Sequence, residues 1–266
     1  MYSDFHLHTH HSADSDELPE NTIKKCIELG MDECCFTDHN DFNWPNKNEN
    51  FDLDVKSYYE ELFPLKEQYK NQLKIHIGVE CGITEENYIQ NRTLIQNNPF
   101  DFVIGSCHIV NGLDPYYPEY FYKKTDRAAF EEYFKALKKG ILLFDDFDVL
   151  GHIDYVVRYS PNKESGYSAF DYMDIIDEIL NTVIQNGKGI EINTSGLKSG
   201  LSFANPCPDI LKRYRELGGE IITIGSDAHS VDYVGYAFDR AAQFLSSAGF
   251  NNYCIFKNRE PHFKKL

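Results

Sequence analysis

Positive charge is scarce in this 266-residue chain: 26 lysines and arginines stand against 42 aspartates and glutamates, a formal net charge of −16. That balance argues against a binder of nucleic acid or acidic membrane working through bulk charge. An anionic substrate would have to find its positive charge locally, in Arg, Lys or bound metal. No apolar run reaches the roughly 18 residues of a membrane span, and no signal-peptide pattern is present. The seven cysteines (26, 34, 35, 81, 107, 207, 254) are odd in number and lack framework spacing. Together these absences predict a reduced, cytoplasmic, soluble protein, in which the adjacent Cys34 and Cys35 fill strand faces. There is no G-x-G-x-x-G or Walker sequence to support a nucleotide-binding sheet. No Ser/Gly/Pro-rich linker divides the chain, so residues 1–266 are expected to form one domain.

What is present is a regular alternation. Hydrophobic residues make up 42% of the chain, enough for a packed core. Short β-like runs ("YSDFHLH", "DECCFT", "LKIHIGVE", "FDFVIGSCH", "FDVLGHID", "GKGIEINTS", "EIITIGSDAH") are separated by amphipathic stretches such as "PENTIKKCIELG" and "AAFEEYFKALKKG". Near-continuous apolar strands alternating with helices indicate a parallel sheet covered by helices, and a closed (β/α) barrel is preferred to an open sheet. "EENYIQNRTLIQN" reads as a helix less clearly. The aromatic segment 111–125, "NGLDPYYPEYFYKKT", is expected to be a lid or substrate wall, with a plain surface loop as the alternative. The basic end "FKNREPHFKKL", with His262, reads as a solvated tail.

The chemistry-bearing residues fall at the strand ends. In "FHLHTHHSADSD", His6 and His8 lie two apart, so a strand turns both imidazoles to one face with Cα atoms about 6.5–7 Å apart. H-x-H alone is a weak signal. The next strands end in Asp38 and His39 ("TDHND"), Glu80 ("GVECG"), His108 ("GSCH"), His152 and Asp154 ("GHID"), and Asp227 and His229 ("GSDAH"). In a (β/α) barrel these ends meet at one rim, where such barrels place their chemistry. Imidazoles and carboxylates arriving there from separate strands predict a polymetal site. Asp38 and Asp154 flank candidate ligands and read either as groups orienting an imidazole N–H or as solvated or capping residues. His10 and His11 point opposite ways if the strand continues; His10 is a candidate substrate contact at the rim. His76, away from its strand end, reads as a core or surface residue.

The ordered set H-x-H, T-D-H, G-x-E, S-x-H, G-H-x-D and G-S-D-A-H, spanning residues 6 to 229, resembles the PHP (polymerase and histidinol phosphatase) family. "GHIDYVVRY" and "EINTSGL" resemble its stand-alone histidinol-phosphatase branch. The resemblance implies a distorted (β/α)7 barrel, TIM-barrel-like, with three divalent metal ions. Carried onto matching positions, it implies one ion on His6, His8, Glu80 and Asp227, a second sharing Glu80 with His108 and His152, and a third on Asp14, His39 and His229. Asp16 rivals Asp14. Zn, Mn and Fe all remain open, because imidazoles suit Zn²⁺ and a carboxylate at the third site favours harder ions.

The implied activity is hydrolysis of L-histidinol phosphate, with a hydroxide between metal ions attacking phosphorus. Glu80, Asp227, Arg158 and His229 are the candidate catalytic groups. Arg158 is the first candidate for gripping phosphate, through parallel donors. Lys198, His39 and His10 are further candidate substrate contacts. A relative acting on a nucleotide, oligonucleotide or other phosphate ester is the alternative. Amidohydrolases share H-x-H barrels but usually carry a metal-bridging lysine on a middle strand, which no strand end here supplies. A small phosphorylated partner, no nucleic acid, no membrane, and a monomer or small homo-oligomer complete the expectation.

Overall fold

The computed structural model describes residues 2–266. Its strands are β1 (Asp4–Leu7), β2 (Glu33–Phe36), β3 (His39–Asn40), β4 (Lys74–Gly82), β5 (Phe102–Ser106), β6 (Val149–Leu150), β7 (Gly189–Asn193) and β8 (Ile222–Gly225). All pair in parallel in the order β1-β2-β4-β5-β6-β7-β8, with β3 continuing beside β4 after a break at Thr37 and Asp38. Closure runs from β8 back to β1: Asp227 N donates to His6 O at 2.9 Å and His8 N to Ala228 O at 2.9 Å. The expected seven-position barrel is the observed one.

Helices α1 (Pro19–Glu28), α2 (Val55–Tyr69), α3 (Tyr88–Asn97), α4 (Asp126–Leu143), α5 (Met173–Gln185), α6 (Ser195–Lys198), α7 (Pro208–Glu216) and α8 (Phe238–Ser247) connect and cover the strands. The α4 and α5 helices show why they form. Thr125 caps α4 by accepting from Ala128 N, and Phe130, Phe134, Leu137 and Ile141 recur at helical spacing on its buried face. Ile176, Ile179, Leu180 and Val183 do the same for α5. The weakly signalled "YIQNRTLIQN" is helical, as α3. All seven cysteines are buried and unpaired, Cys34 and Cys35 within β2. No helix is long and apolar enough to cross a membrane, among the described residues.

Two expectations about elements need correction. The barrel's fifth position, β6, is only two residues long, because the chain turns away at Gly151; His152 therefore sits in a loop past β6. The basic end is not a loose tail. Asn252–Lys257 (β9) and Glu260–Lys265 (β10) form an antiparallel hairpin under the barrel, with His262 exposed on it. Arg259 donates from Nε to Asp148 at 2.6 Å, and Lys264 Nζ to Glu33 at 2.6 Å. The hairpin's cations thus neutralise carboxylates at the N-terminal ends of the strands, which a composition reading does not reveal.

Candidate metal centre

β1 turns His6 and His8 to one face, as the alternation requires, and both are buried. Glu80 comes from near the C-terminal end of β4 and is completely buried between them and the later strands. Its two oxygens face different groups. Oε2 lies 3.1 Å from His6 Nε2 and 3.5 Å from His8 Nε2, while Oε1 lies 2.9 Å from His152 Nε2 and 3.2 Å from His108 Nε2. Asp227 closes the first group, with Oδ1 3.4 Å from His8 Nε2 and 3.8 Å from His6 Nε2. Its φ of 56° is left-handed, a conformation aspartate tolerates better than most residues, and it puts the carboxylate into the rim. Outside, His229 Nε2 lies 3.1 Å and His39 Nε2 3.8 Å from Asp14 Oδ2. Asp14, not its rival Asp16, is the aspartate that meets these rings.

Distances of 3.1–3.8 Å between these atoms are those that ligands would keep around a cation with bonds of about 2.0–2.2 Å. A second observation agrees. His6 Nε2, His8 Nε2, His39 Nδ1 and Glu80 Oε2 are buried without a hydrogen-bond partner, and burying such groups unsatisfied is expensive. They face one another, so a shared cation satisfies them together. At the rim, His6–His8–Glu80, His39–Glu80–His108 and His8–His39–His229 each bring three ligand atoms together, and these groups share His8, His39 and Glu80. The residues present therefore fit divalent metal.

The electrostatics are those of a cluster prepared for positive charge. Burial, with His229 and His39 beside it, lowers the His8 imidazole to about 3, so it is a neutral donor. Burial opposes charge on Glu80, yet His6, His108 and His39 around it hold it well below the ordinary carboxylate range. Burial also opposes a charged His108, but Asp41 and Glu80 lift it to about 10.

The groups that orient the rings were not found by reading strand ends. Glu191 of β7 takes His6 Nδ1 at 2.6 Å, and Asp41 takes His108 Nδ1 at 2.8 Å. Such carboxylates fix which ring nitrogen faces a metal. Glycine makes room for each: a Cβ on Gly225 would come 2.2 Å from Glu191 Oε1, and one on Gly82 would come 1.6 Å from Asp41 Oδ1. The sequence signal was available, since Glu191 interrupts a fully buried apolar strand and a buried carboxylate demands a partner. Asp38 and Asp154 do not touch an imidazole. Asp38 accepts from Thr9 N and from Ser12, whose hydroxyl lies 3.0 Å from His8 Nδ1. Asp154 accepts from Asn205 Nδ2 at 2.6 Å and from Cys207 N at 2.9 Å.

A cavity of about 520 Å³ stands over the rim. Arg158 and Lys198 both line it. Arg158 is buried, donating from Nε to Asn205, from Nη2 to Asn193 and from Nη1 to Asp227 at 3.0 Å. Three of its five N–H donors are thereby fixed, leaving two. The Lys198 ammonium lies 3.8 Å from the Tyr233 ring centre, and burial lowers its pKa. His10 is not among the residues lining the cavity, correcting its placement at the rim. The chain turns after Thr9, with His10 N donating to Glu17 O, and both His10 and His11 reach Glu61 of α2 at 2.8 Å. His76 is buried below, bonded to Glu33 at 2.9 Å.

A seven-position parallel barrel whose strand ends gather imidazoles and carboxylates around unsatisfied donor atoms belongs to the class of metal-binding (β/α) barrels. Within that class the chain belongs to the PHP-domain family, whose model matches residues 4–195. It is 33% identical over 254 residues to a histidinol-phosphatase of Lactococcus lactis, covering 95% of this chain and 93% of that one. It is 36% identical over 250 residues to a probable histidinol-phosphatase of Clostridium acetobutylicum, covering 93% and 94%. A crystal structure of the Lactococcus lactis histidinol phosphate phosphatase, complexed with Zn, L-histidinol and phosphate, superposes with a TM-score of 0.90 at 32% identity, over 98% of each chain.

Proposed function

We propose that the chain is a metal-dependent phosphomonoesterase that hydrolyses L-histidinol phosphate to L-histidinol and phosphate. The observation that carries the chemistry is Glu80: one completely buried carboxylate presents an oxygen to each of two imidazole groups. The substrate comes from the relatives, which match along nearly the whole chain and one of which holds histidinol and phosphate.

His6, His8, Glu80 and Asp227 would hold one ion, Glu80, His108 and His152 a second, and Asp14, His39 and His229 a third; Zn²⁺ is the first choice. Bound there, divalent ions supply Lewis acidity toward phosphate oxygens and acidify water at the site. The protein's own part is positional. Glu191 and Asp41 hold the rings of His6 and His108 so that their other nitrogens face inward. Asn193 and Asn205 clamp Arg158 in place, with its remaining donors available to a phosphate oxygen. Lys198 adds positive charge at the wall, and Asp227 ties the guanidinium to the ligand set. The whole of 1–266 acts as one barrel domain in this reading, and His229 joins Glu80 and Asp227 among the groups on which turnover depends.

Phosphate release from a panel of monoesters tests the substrate. Histidinol phosphate should exceed nucleotide and sugar phosphates in kcat/KM. Preference for a nucleotide would replace the assigned substrate while leaving the phosphatase chemistry standing.

A further inference from the structure

Metal ligands account for the floor of the cavity, and Arg158 and Lys198 for its positive charge. Its outer wall has a different composition. A file of rings leads away from the ligands: Tyr155 lies 4.9 Å from His152, Tyr159 lies 5.0 Å from Tyr155, Tyr116 lies 5.2 Å from Tyr159, and Tyr117 lies 5.1 Å from Tyr116. From His39 a second file leads through Phe51 to Trp44, at 5.8 and 4.1 Å. A hydrolysed ester places its phosphate on the floor, so its alcohol must lie between these files.

A wall built only of rings would take any apolar alcohol. This one carries a carboxylate, Asp114, in the loop that follows β5. Oδ1 of Asp114 accepts from Tyr116 N at 2.7 Å, and its carbonyl accepts from Tyr117 N at 3.1 Å, so the side chain is fixed at the outer end of the first file. Its Oδ2 accepts no hydrogen bond among the described residues. Burial lifts the carboxyl to about 6, a cost that a cation beside it would remove. The other acids nearby are less suited. Glu49 is exposed and already takes the Trp44 indole N–H at 3.0 Å. Glu119 lines an adjoining groove and not the main cavity.

We infer that Asp114 is the specificity residue of the leaving-group pocket, selecting phosphate esters whose alcohol carries a protonated amine. The inference rests on the phosphomonoesterase reading above and narrows its substrate class. The aromatic files complement it, because ring faces attract cations and exclude water from the ion pair. The pocket is then bipolar: Arg158, Lys198 and the metal centre draw the phosphate, and Asp114 draws the ammonium. An uncharged alcohol gains the rings alone.

Asp114→Asn tests this, since asparagine keeps an oxygen for Tyr116 N and so preserves the loop. The metal-loaded wild type and variant would be compared on histidinol phosphate, phosphoethanolamine and p-nitrophenyl phosphate. The expected result is a fall of about 10- to 100-fold in kcat/KM on the two amines, the range for a charged hydrogen bond, carried mainly by KM. The aryl ester should be hydrolysed as before. Equal losses on all three esters would make Asp114 a structural residue, and no loss on any would remove it from recognition; either overturns the inference. A wild type inactive on histidinol phosphate would defeat the substrate assigned above, and Asp114 would then be judged on phosphoethanolamine against the aryl ester.

Discussion

The two ends of the barrel use the same residue types to opposite effect. At the N-terminal ends of the strands, Glu33, Asp101 and Asp148 are largely buried, and each meets a cation of the chain itself. Glu33 pairs with Lys264, beside a hydrogen bond to His76, Asp101 with Lys66, and Asp148 with Arg259. At the C-terminal ends, Glu80 and Asp227 meet mainly imidazoles, and several of the inward-facing donor atoms have no partner. Arg158 is the one lysine or arginine paired to that inner group, through Asp227, among the described residues. A protein that can neutralise buried carboxylates with lysine and arginine at one end leaves them to histidine at the other. Histidine has a lone pair to give, which lysine and arginine at neutral pH do not. One end is finished by folding; the other is finished by metal.

The largest expected effect follows from removing the group that joins both sides of the rim. Glu80→Gln should retain the fold yet lose metal and nearly all turnover, about a thousandfold or more if several kcal/mol of charge stabilisation go with it. Metal analysis beside a circular dichroism spectrum checks this, and a fully loaded, fully active variant would end the bridging role.

Arg158 sharpens the comparison, because it is a bottom-type cation placed at the top. Arg158→Ala should keep metal stoichiometry but lose about 2–4 kcal/mol of transition-state binding, the range for one preorganised contact. Steady-state kinetics with metal analysis would separate two outcomes. Loss of metal would make Arg158 a holder of Asp227, and unchanged kcat/KM would make it structural.

At the other end the effect is smaller and concerns stability alone. A hydrogen bond from His76, and then Lys264, lowers the Glu33 carboxyl to about 2 despite burial. A depressed carboxyl contributes stability above its unfolded value of about 4.5 and loses it as pH falls toward 2. Glu33→Gln should therefore be less stable than wild type at neutral pH and lose less on acidification across that window, with kcat/KM at neutral pH unaltered. Urea midpoints at a series of pH values give the answer, and parallel slopes for the two proteins would contradict it.

How much of this was legible depended on whether a residue announces itself locally. His6 and His8 did so by alternation in β1, and Glu80, His108, Asp227 and His229 did so by standing at the ends of apolar runs. The barrel followed from the repetition of those runs, since parallel strands buried on both faces need continuous apolar sequence. Asp41 and Glu191 gave weaker signals, because what they do depends on rings brought from other strands at closure. His10 was misplaced because a turn after Thr9 breaks the alternation that would have carried it to the rim. The basic hairpin was hidden for a similar reason: Arg259 and Lys264 read as solvated until the fold sets Asp148 and Glu33 against them. Asp114 lay in a loop already marked as a possible substrate wall, but only the cavity distinguishes it from Glu119.

The contrast between the two ends reduces to one claim, that the unsatisfied donors at the rim are the ligands of three ions. Anomalous diffraction from crystals of the zinc-loaded protein tests it directly. Three peaks are expected, two flanking Glu80 and one between Asp14, His39 and His229, with only the last absent in Asp14→Ala. Two peaks in the fully loaded wild type, or a third held by Asp16 in place of Asp14, would contradict the account.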